Sequence, residues 1–294
     1  MKKTRIPGLI DAIKLDRPDE IAEMTRNPLL DRRFETPGPI ANGIICRHVL
    51  SALSFRGKRF PTMAARGCLE RGRKQEVLWA SLNAKAPALK SGPEELEGIA
   101  SWIKGTSNES ELGILVQQIV GSLFSDSYTA TSESWDAALV LDAAPRSNNP
   151  LKLLLWWLTG RLRNAKTLLA SKVNGDLAGV HGTGIALHNI VRSLQHMRGL
   201  YSNIGLRSSL SSEEVSRQCL FAPAGVLRQA TAAGEIARCP FRKGTLFIAA
   251  LGEAQKNFQS EEVVFLSDSW SRCPADQWVP ALLEGVWRRA TETS

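Results

Sequence analysis

The sequence predicts a mainly α fold with a small β region late in the chain, in a single domain over residues 1–294. Three observations carry this expectation. Apolar residues recur at i, i+3 and i+4 over most of the chain, as on one face of a helix. That period gives way between Val226 and Phe247 to short runs separated by turn residues. No repeat, low-complexity run or linker divides the chain. With 43% apolar residues, 23 Gly and 14 Pro among 294, the chain can fill a core and is neither collagen-like nor disordered.

The first 40 residues read as a short helix followed by irregular chain, broken at Pro18 and at Thr36 to Gly43. From Ile44 to Leu53 the pattern is helical, with Ile45, Val49 and Leu53 in phase. A long helical stretch follows from about Thr62 to Leu89, and its basic face (Arg66, Arg71, Arg73, Lys74) reads as solvated. Further helices are expected after Pro93, over GILVQQIVGSLF, and from Ser132 to Ala144. After a break at Asn149-Pro150, another runs about six turns from Leu151, and its apolar character suggests burial on more than one side. Asp176 to Gly199 and Leu210 to Leu220 are helical. The β region has turns at Ala233-Gly234 and Lys243-Gly244, with a further short strand at Val263 to Leu266. The last helix starts at Pro274 or Pro280 and runs to Ala290.

The net charge of +8 suits an anionic ligand, an acidic partner or a lipid surface. The basic residues are dispersed rather than striped, so nucleic acid is not an expected partner. Five cysteines with no CxxC pair argue against a disulfide framework or a compact zinc site. The basic N-terminus lacks the apolar stretch of a signal peptide. The longest apolar block, Leu151 to Leu158, is too short to span a bilayer. The expectation is a cytoplasmic protein without a transmembrane segment, or one peripheral at a membrane surface. P-loop, GxGxxG and GxSxG motifs are absent. The eight Trp, Trp156-Trp157 and Trp287 among them, read as core.

Two readings meet at Leu210 to Arg217. In one, Ser211 caps a helix, Glu214 closes the capping box, and Leu210 staples onto Val215. In the other, Glu214 and Arg217 form an i, i+3 ion pair in an ExxR arrangement. Further pieces follow in order: Pro223 to Arg228, Lys243-Gly244, Glu253 to Asp268, Cys273-Pro274 and Ala281 to Arg289. Upstream lie Asp176 to Leu194, containing Ala178 to Thr183 (AGVHGT), and CRHVLSALSFRGKRF.

In this order of pieces the sequence resembles the cytochrome P-450 superfamily, over residues about 40 to 290. The resemblance implies a compact P-450-like fold shortened at both ends. It implies haem b as cofactor, with Cys273 as the iron ligand. A thiolate there pushes electron density to iron, and a following helix N-terminus would favour its charged form. Arg47, His48, Arg228 and Arg272 become candidate partners of the haem propionates, since guanidinium forks suit carboxylates. Glu214 and Arg217 become the structural ion pair of the proximal side.

The departures from the family pattern bear on chemistry. Leu266, Ser269 and Ala275 stand where the Cys loop has Phe, Gly and Gly. His181 and Gly182 stand at the acid–alcohol pair that serves dioxygen activation, with Thr183 one place late. Branches without that pair use peroxides directly. The implied activity is therefore peroxide-dependent oxidation or hydroperoxide rearrangement of a lipid or fatty-acid-like substrate. His181, Thr183 and Asn189 are the candidate catalytic residues, since Asn189 can both donate and accept. Two alternatives stay open. One is a haem-free helper of another enzyme. The other is a monooxygenase fed by an acidic redox partner, with Thr183 as the alcohol. His181, His188 and His196 fall on one helix face, two turns apart, too far for any two to share a metal ion.

Overall fold

The computed structural model describes the chain apart from residues 106–110, 148, 150, 152–154, 157, 259, 268 and 293–294. The expected break at Pro150, much of the Leu151 to Leu158 block, Trp157 and Asp268 thus lie outside the described residues. The rest forms two compact units, Met1–Val77 with Ala222–Asp276, and Leu78–Phe221 with Gln277–Ser294.

The first unit is built on a sheet of strand order β1-β2-β9-β6-β3. β1 (Lys2–Ile6) and β2 (Ile10–Leu15) form an antiparallel hairpin. This corrects the helix-then-irregular expectation for the first 40 residues. The helix comes next, as α1 (Pro18–Arg26), with Pro18 in its first turn and Asp19 and Glu20 behind it. β2 pairs in parallel with β9 (Leu246–Ala249), from Ala12↔Leu246 to Leu15↔Ala249. β6 (Val226–Ala230) pairs antiparallel with β9, and β3 (Leu30–Asp31) with β6. Ile13, Leu15, Leu30 and Phe247 are fully buried along these strands. α2 (Ile40–Ala52) lays Cys46 and Val49 against Ala12 and Leu246.

Two small hairpins complete the β content, β4 (Ser54–Phe55) with β5 (Lys58–Arg59) and β7 (Gly234–Ile236) with β8 (Cys239–Phe241). The β7–β8 reversal falls at Ala237 and Arg238, both in the left-handed region, so the turn is four residues past the expected Ala233-Gly234. The expected Lys243-Gly244 turn is present, with Gly244 at φ +84. A Cβ there would collide with the Pro37 carbonyl oxygen, so both backbone angle and close approach require glycine. α11 (Leu251–Phe258) follows, then α12 (Glu262–Phe265). The expected strand at Val263 to Leu266 is this helical turn, ended by Leu266 at φ 51. Its run of β-branched residues is too short to decide between the two states.

α3 (Leu69–Lys90) leads into the second unit, which is a helical bundle. It comprises α4 (Glu97–Ile103), α5 (Leu112–Ser122), α6 (Ser132–Ala143), α7 (Arg161–Lys172), the long α8, α9 (Ile204–Ser209), α10 (Ser212–Cys219) and α13 (Trp278–Glu292). α8 runs as α-helix over Leu177–His181, as a π turn over Gly182–Ala186, and as α-helix again over Leu187–Ser202. Its glycines let neighbours close in. A Cβ on Gly182 would stand 2.8 Å from the Phe124 ring, and one on Gly184 2.7 Å from Leu141. Such π insertions concentrate at functional sites, because one extra residue re-aims the side chains beyond it.

Candidate active site

In the first unit, three arginines from different elements meet on one indole. Arg32 follows β3, Arg71 stands in the first turns of α3, and Arg228 lies on β6. Their guanidinium carbons sit 5.1, 5.3 and 5.6 Å from the ring centre of Trp270. Trp270 lies three residues before Cys273. Arg228 is only 1% exposed and Arg32 5%.

The three side chains also hydrogen-bond to the loop around Trp270. Arg228 donates to the Leu227 carbonyl and to Ser271 Oγ, both at 2.7 Å. Arg32 donates to the carbonyls of Thr62 and Ser271, and Arg71 to those of Pro61 and Trp270. Gln75, one turn past Arg71, donates to the Arg272 carbonyl. Ser271 N–H donates to Ser269 Oγ, and Cys273 N–H donates to the Phe265 carbonyl at 2.8 Å.

Charge in this cluster is unbalanced. Among the described residues, Asp31 is the one carboxylate that acts on Arg32 and Arg228, and it is shared with Arg33 at 3.2 Å. Burial, with Arg228 and Arg71 beside it, holds Arg32 well below its ordinary range. Burial and Arg71 bring Arg228 down to about 9. Guanidinium does not give up its proton readily in proteins. A site strained in this way gains instead by taking up an anion. Arg32 Nε, Arg228 Nε and Trp270 Nε1 are buried donors without a hydrogen-bond partner among the described residues, so the cluster has donors to spare there.

Cys273 is half-buried, and burial pushes its thiol up to about 11. Asp276 adds to this and the Ala275 N–H opposes it. Turn residues occupy 274–277, and α13 starts only at Trp278. Of the two expected starts, Pro274 and Pro280, the observed one lies nearer Pro280, so no helix N-terminus directly follows the cysteine. Pro280 falls in the first turn of α13, where no intrahelical N–H is needed.

The other residues singled out from sequence divide clearly. Arg272 adjoins Cys273 and is half-buried. Arg47 stands exposed on α2, and His48 is half-buried there; neither is among the side chains stacked on Trp270. Arg32 and Arg71, which are, were not signalled by sequence as site residues. Glu214 closes the capping box, accepting from Ser211 N–H at 2.8 Å, while Ser211 Oγ accepts from Glu214 N–H at 3.2 Å. Arg217 reaches back to Glu213. Both Glu214 and Arg217 are exposed, so the capping reading accounts for Glu214 and the proximal ion-pair role is not needed to explain it.

On α8, His181 and Asn189 are half-buried and Thr183 is fully buried. Thr183 Oγ1 donates to the Gly179 carbonyl at 2.7 Å, and its own carbonyl accepts from Gln117 Nε2 at 2.9 Å. His196 is exposed and His188 buried, so the three histidines occupy three different environments. Among the described residues no group of three His, Cys, Asp or Glu side chains could hold a metal ion.

His188 packs on Trp135 at 5.0 Å, bonds the Ala138 carbonyl through Nε2, and faces Asp142, Arg146 and Arg192. Burial lowers its pKa to about 4. The unfolded chain binds a proton there from about pH 6.5 downward, and the folded chain only near 4. Stability from this residue is thus full above pH 6.5 and falls by about 2.5 kcal/mol by pH 4.5. Urea unfolding at pH 7 and 4.5 is expected to show this loss, and a His188→Gln variant to lose less between the two.

No protein-family model matches the chain, and no curated protein does. Solved structures do. CYP105N1 from Streptomyces coelicolor A3(2) matches 97% of this chain over 82% of its own, at 15% identity and a TM-score of 0.57. A variant of cytochrome P-450 OleT in complex with arachidonic acid matches over the same shares at 9% identity and a TM-score of 0.65. The chain has the cytochrome P-450 fold. A third P-450, EX alpha (CYP152N1) with myristic acid, matches at 14% identity and a TM-score of 0.61, again over 97% of this chain and 82% of its own. The expected fold class, mainly α with a small β region in P-450 order, is the one observed. No helix among the described residues is long and apolar enough to cross a membrane.

Proposed function

We propose that the chain is a haem-thiolate oxidoreductase that binds haem b through Cys273 and acts on a lipid-like substrate by peroxide-dependent oxidation or hydroperoxide rearrangement. What supports this is the arginine cluster ahead of Cys273. Among the described residues, three guanidinium groups gather there, two of them sharing Asp31, with buried donors left unused. Such a gathering of guanidinium groups suits the carboxylates of the haem b propionates. The residues present therefore fit the group, and Arg32, Arg71 and Arg228 would hold its carboxylates. The clamp expected from Arg47 and His48 passes in this reading to Arg32 and Arg71.

Bound haem with a thiolate ligand supplies iron electron-rich enough to favour cleavage of an O–O bond. The chain's own contribution begins with Cys273, which must give up its proton to ligate. Arg32, Arg71 and Arg228 would fix orientation, because each is already held by hydrogen bonds, Arg32 and Arg71 to backbone carbonyls and Arg228 to the Leu227 carbonyl and Ser271 Oγ. On α8, His181 is the residue whose ordinary pKa range suits proton handling. Asn189 offers a donor and an acceptor to a hydroperoxide. Thr183 already spends its hydroxyl proton on Gly179, which leaves it an acceptor and weighs against the reductase-fed alternative. The solved P-450s in complex with arachidonic and myristic acid support a fatty-acid-like substrate.

A second reading, a haem-free helper of another enzyme, is favoured by one observation. The Cys273 thiol is pushed up to about 11, with no helix N-terminus directly after it to draw out its proton. The optical spectrum of the protein after haem loading separates the two. A Soret band that moves on reduction and CO addition to the thiolate position supports the oxidoreductase. A flat spectrum supports the helper. For the oxidoreductase, turnover with added hydroperoxide and no electron donor is expected.

A further inference from the structure

Gln117 is fully buried on α5, and both polar atoms of its amide are engaged. Nε2 donates to the Ser134 carbonyl on α6 and to the Thr183 carbonyl on α8, both at 2.9 Å. Oε1 accepts from Ser134 Oγ at 2.6 Å. An apolar residue would fill the same space without the cost of desolvating an amide, so these bonds are what sets Gln117 apart from its buried neighbours Val116 and Val120. The bond to Thr183 has a specific cause. In a regular α-helix Thr183 would accept from Leu187 N–H, four residues on. Here Leu187 N–H is turned to the carbonyls of Gly182 and Ile185, and the first of these is the π bond. Gln117 gives Thr183 a donor in place of the one the π turn withholds.

The extra residue decides which side chains share a face. At about 100° per residue, His181 and Asn189 would stand about 80° apart on a continuous α-helix. With one residue absorbed in the turn they stand about 20° apart, and His188 moves to about 120° from His181. Exposure agrees: His181, Ile185 and Asn189 are all half-buried, whereas His188 is buried against Trp135. We infer that Gln117 is a positioning residue, whose amide holds the π turn and thereby keeps His181 and Asn189 on one face of α8. This rests on the roles proposed above for those two residues. Without the amide, Leu187 N–H returns to Thr183, and the helix beyond the turn rotates by about 100° and carries His188 off Trp135.

The test is a double-mutant cycle in the full-length apoprotein. Gln117→Met keeps the length of the side chain and loses its donors. Deletion of Ala186 takes the extra residue out of the turn, which makes the Leu187–Gly182 bond an ordinary α-helical one and gives Thr183 the N–H of His188. Alone, Gln117→Met is expected to lower the folding equilibrium constant about thirtyfold in urea unfolding. With Ala186 deleted it is expected to lower it less than about threefold, since Thr183 then needs no side-chain donor. Ring resonances give a second readout, with His188→Gln identifying the His188 signal. In the wild type His188, buried and facing Asp142, Arg146 and Arg192, titrates near 4. Gln117→Met is expected to raise that midpoint by about one pH unit or more, toward the ordinary value of about 6.5, and deletion of Ala186 to restore it. An equal cost in both backgrounds would make Gln117 a packing residue and overturn the inference, as would an unmoved His188 midpoint in Gln117→Met. If Gln117→Met does not fold alone, recovery of folding on deletion of Ala186 supports the inference and no recovery overturns it. All of this is read without haem, so a chain that takes up no haem would end the roles given to His181 and Asn189 and leave the hold on the turn standing.

Discussion

Cys273→Ser is expected to abolish the thiolate signature of the haem-loaded protein while leaving its helical circular-dichroism spectrum unchanged. The fold should tolerate the change for a local reason. Cys273 is anchored by its backbone N–H on the Phe265 carbonyl, and that bond does not involve sulfur. The thiol is half-buried, whereas Cys46 and Cys219 are buried in the core. A second consequence follows from protonation. With the thiol pushed up to about 11, ligation at pH 7 must release a proton. Haem binding should tighten up to about tenfold for each pH step of one between 6 and 8, because the deprotonated form is the one that ligates. In the Ser variant that slope should vanish. A variant that holds porphyrin as tightly, with an unchanged spectrum, would remove Cys273 from the site and the proposed activity with it.

How much of this could be read from sequence depended on the distance between interacting residues along the chain. The Ser211–Glu214 capping box was legible because both partners lie within one turn. The AGVHGT segment identified α8, but the π turn within it depends on how closely Gly182 and Gly184 approach Phe124 and Leu141. The β1–β2 hairpin was misread because β1 is a polar edge strand without apolar alternation. β2, in turn, finds its parallel partner only at Leu246. The arginine cluster was the least legible feature. Arg71 sits among Arg66, Arg73 and Lys74, where helical spacing alone suggests a solvated face. Its true neighbour, Trp270, is about two hundred positions away in sequence. Arg32 and Arg33 are consecutive, and only the strand direction after β3 decides that Arg32 points inward while Arg33 is exposed. Arg228 was found because the order of P-450-like pieces pointed to it, and its burial at 1% could not be read from composition.

Arg228→Met should move two measurements in opposite directions, and this separates a ligand-holding residue from a structural one. In the wild-type apoprotein Arg228 is buried against Arg32, Arg71 and Trp270, with an unused Nε and like charge beside it. Replacing a buried, poorly compensated charge by an apolar side chain of similar length is often neutral, or stabilising by about 1–4 kcal/mol. The losses are two hydrogen bonds, to the Leu227 carbonyl and to Ser271 Oγ, each worth about 1 kcal/mol net. The apoprotein is therefore expected to melt no lower than wild type, and higher if relief of repulsion with Arg71 outweighs those bonds. Haem retention is expected to fall about 30- to 150-fold, since removing one partner of a buried charge pair costs about 2–3 kcal/mol. Thermal melts of apoprotein and competition for haem with apomyoglobin measure the two effects independently. If Arg228 were merely part of the packing around Trp270, both stability and haem retention would fall together. A drop in melting temperature with unchanged haem affinity would place the propionate partners elsewhere, with Arg47 and Arg272 the next to substitute.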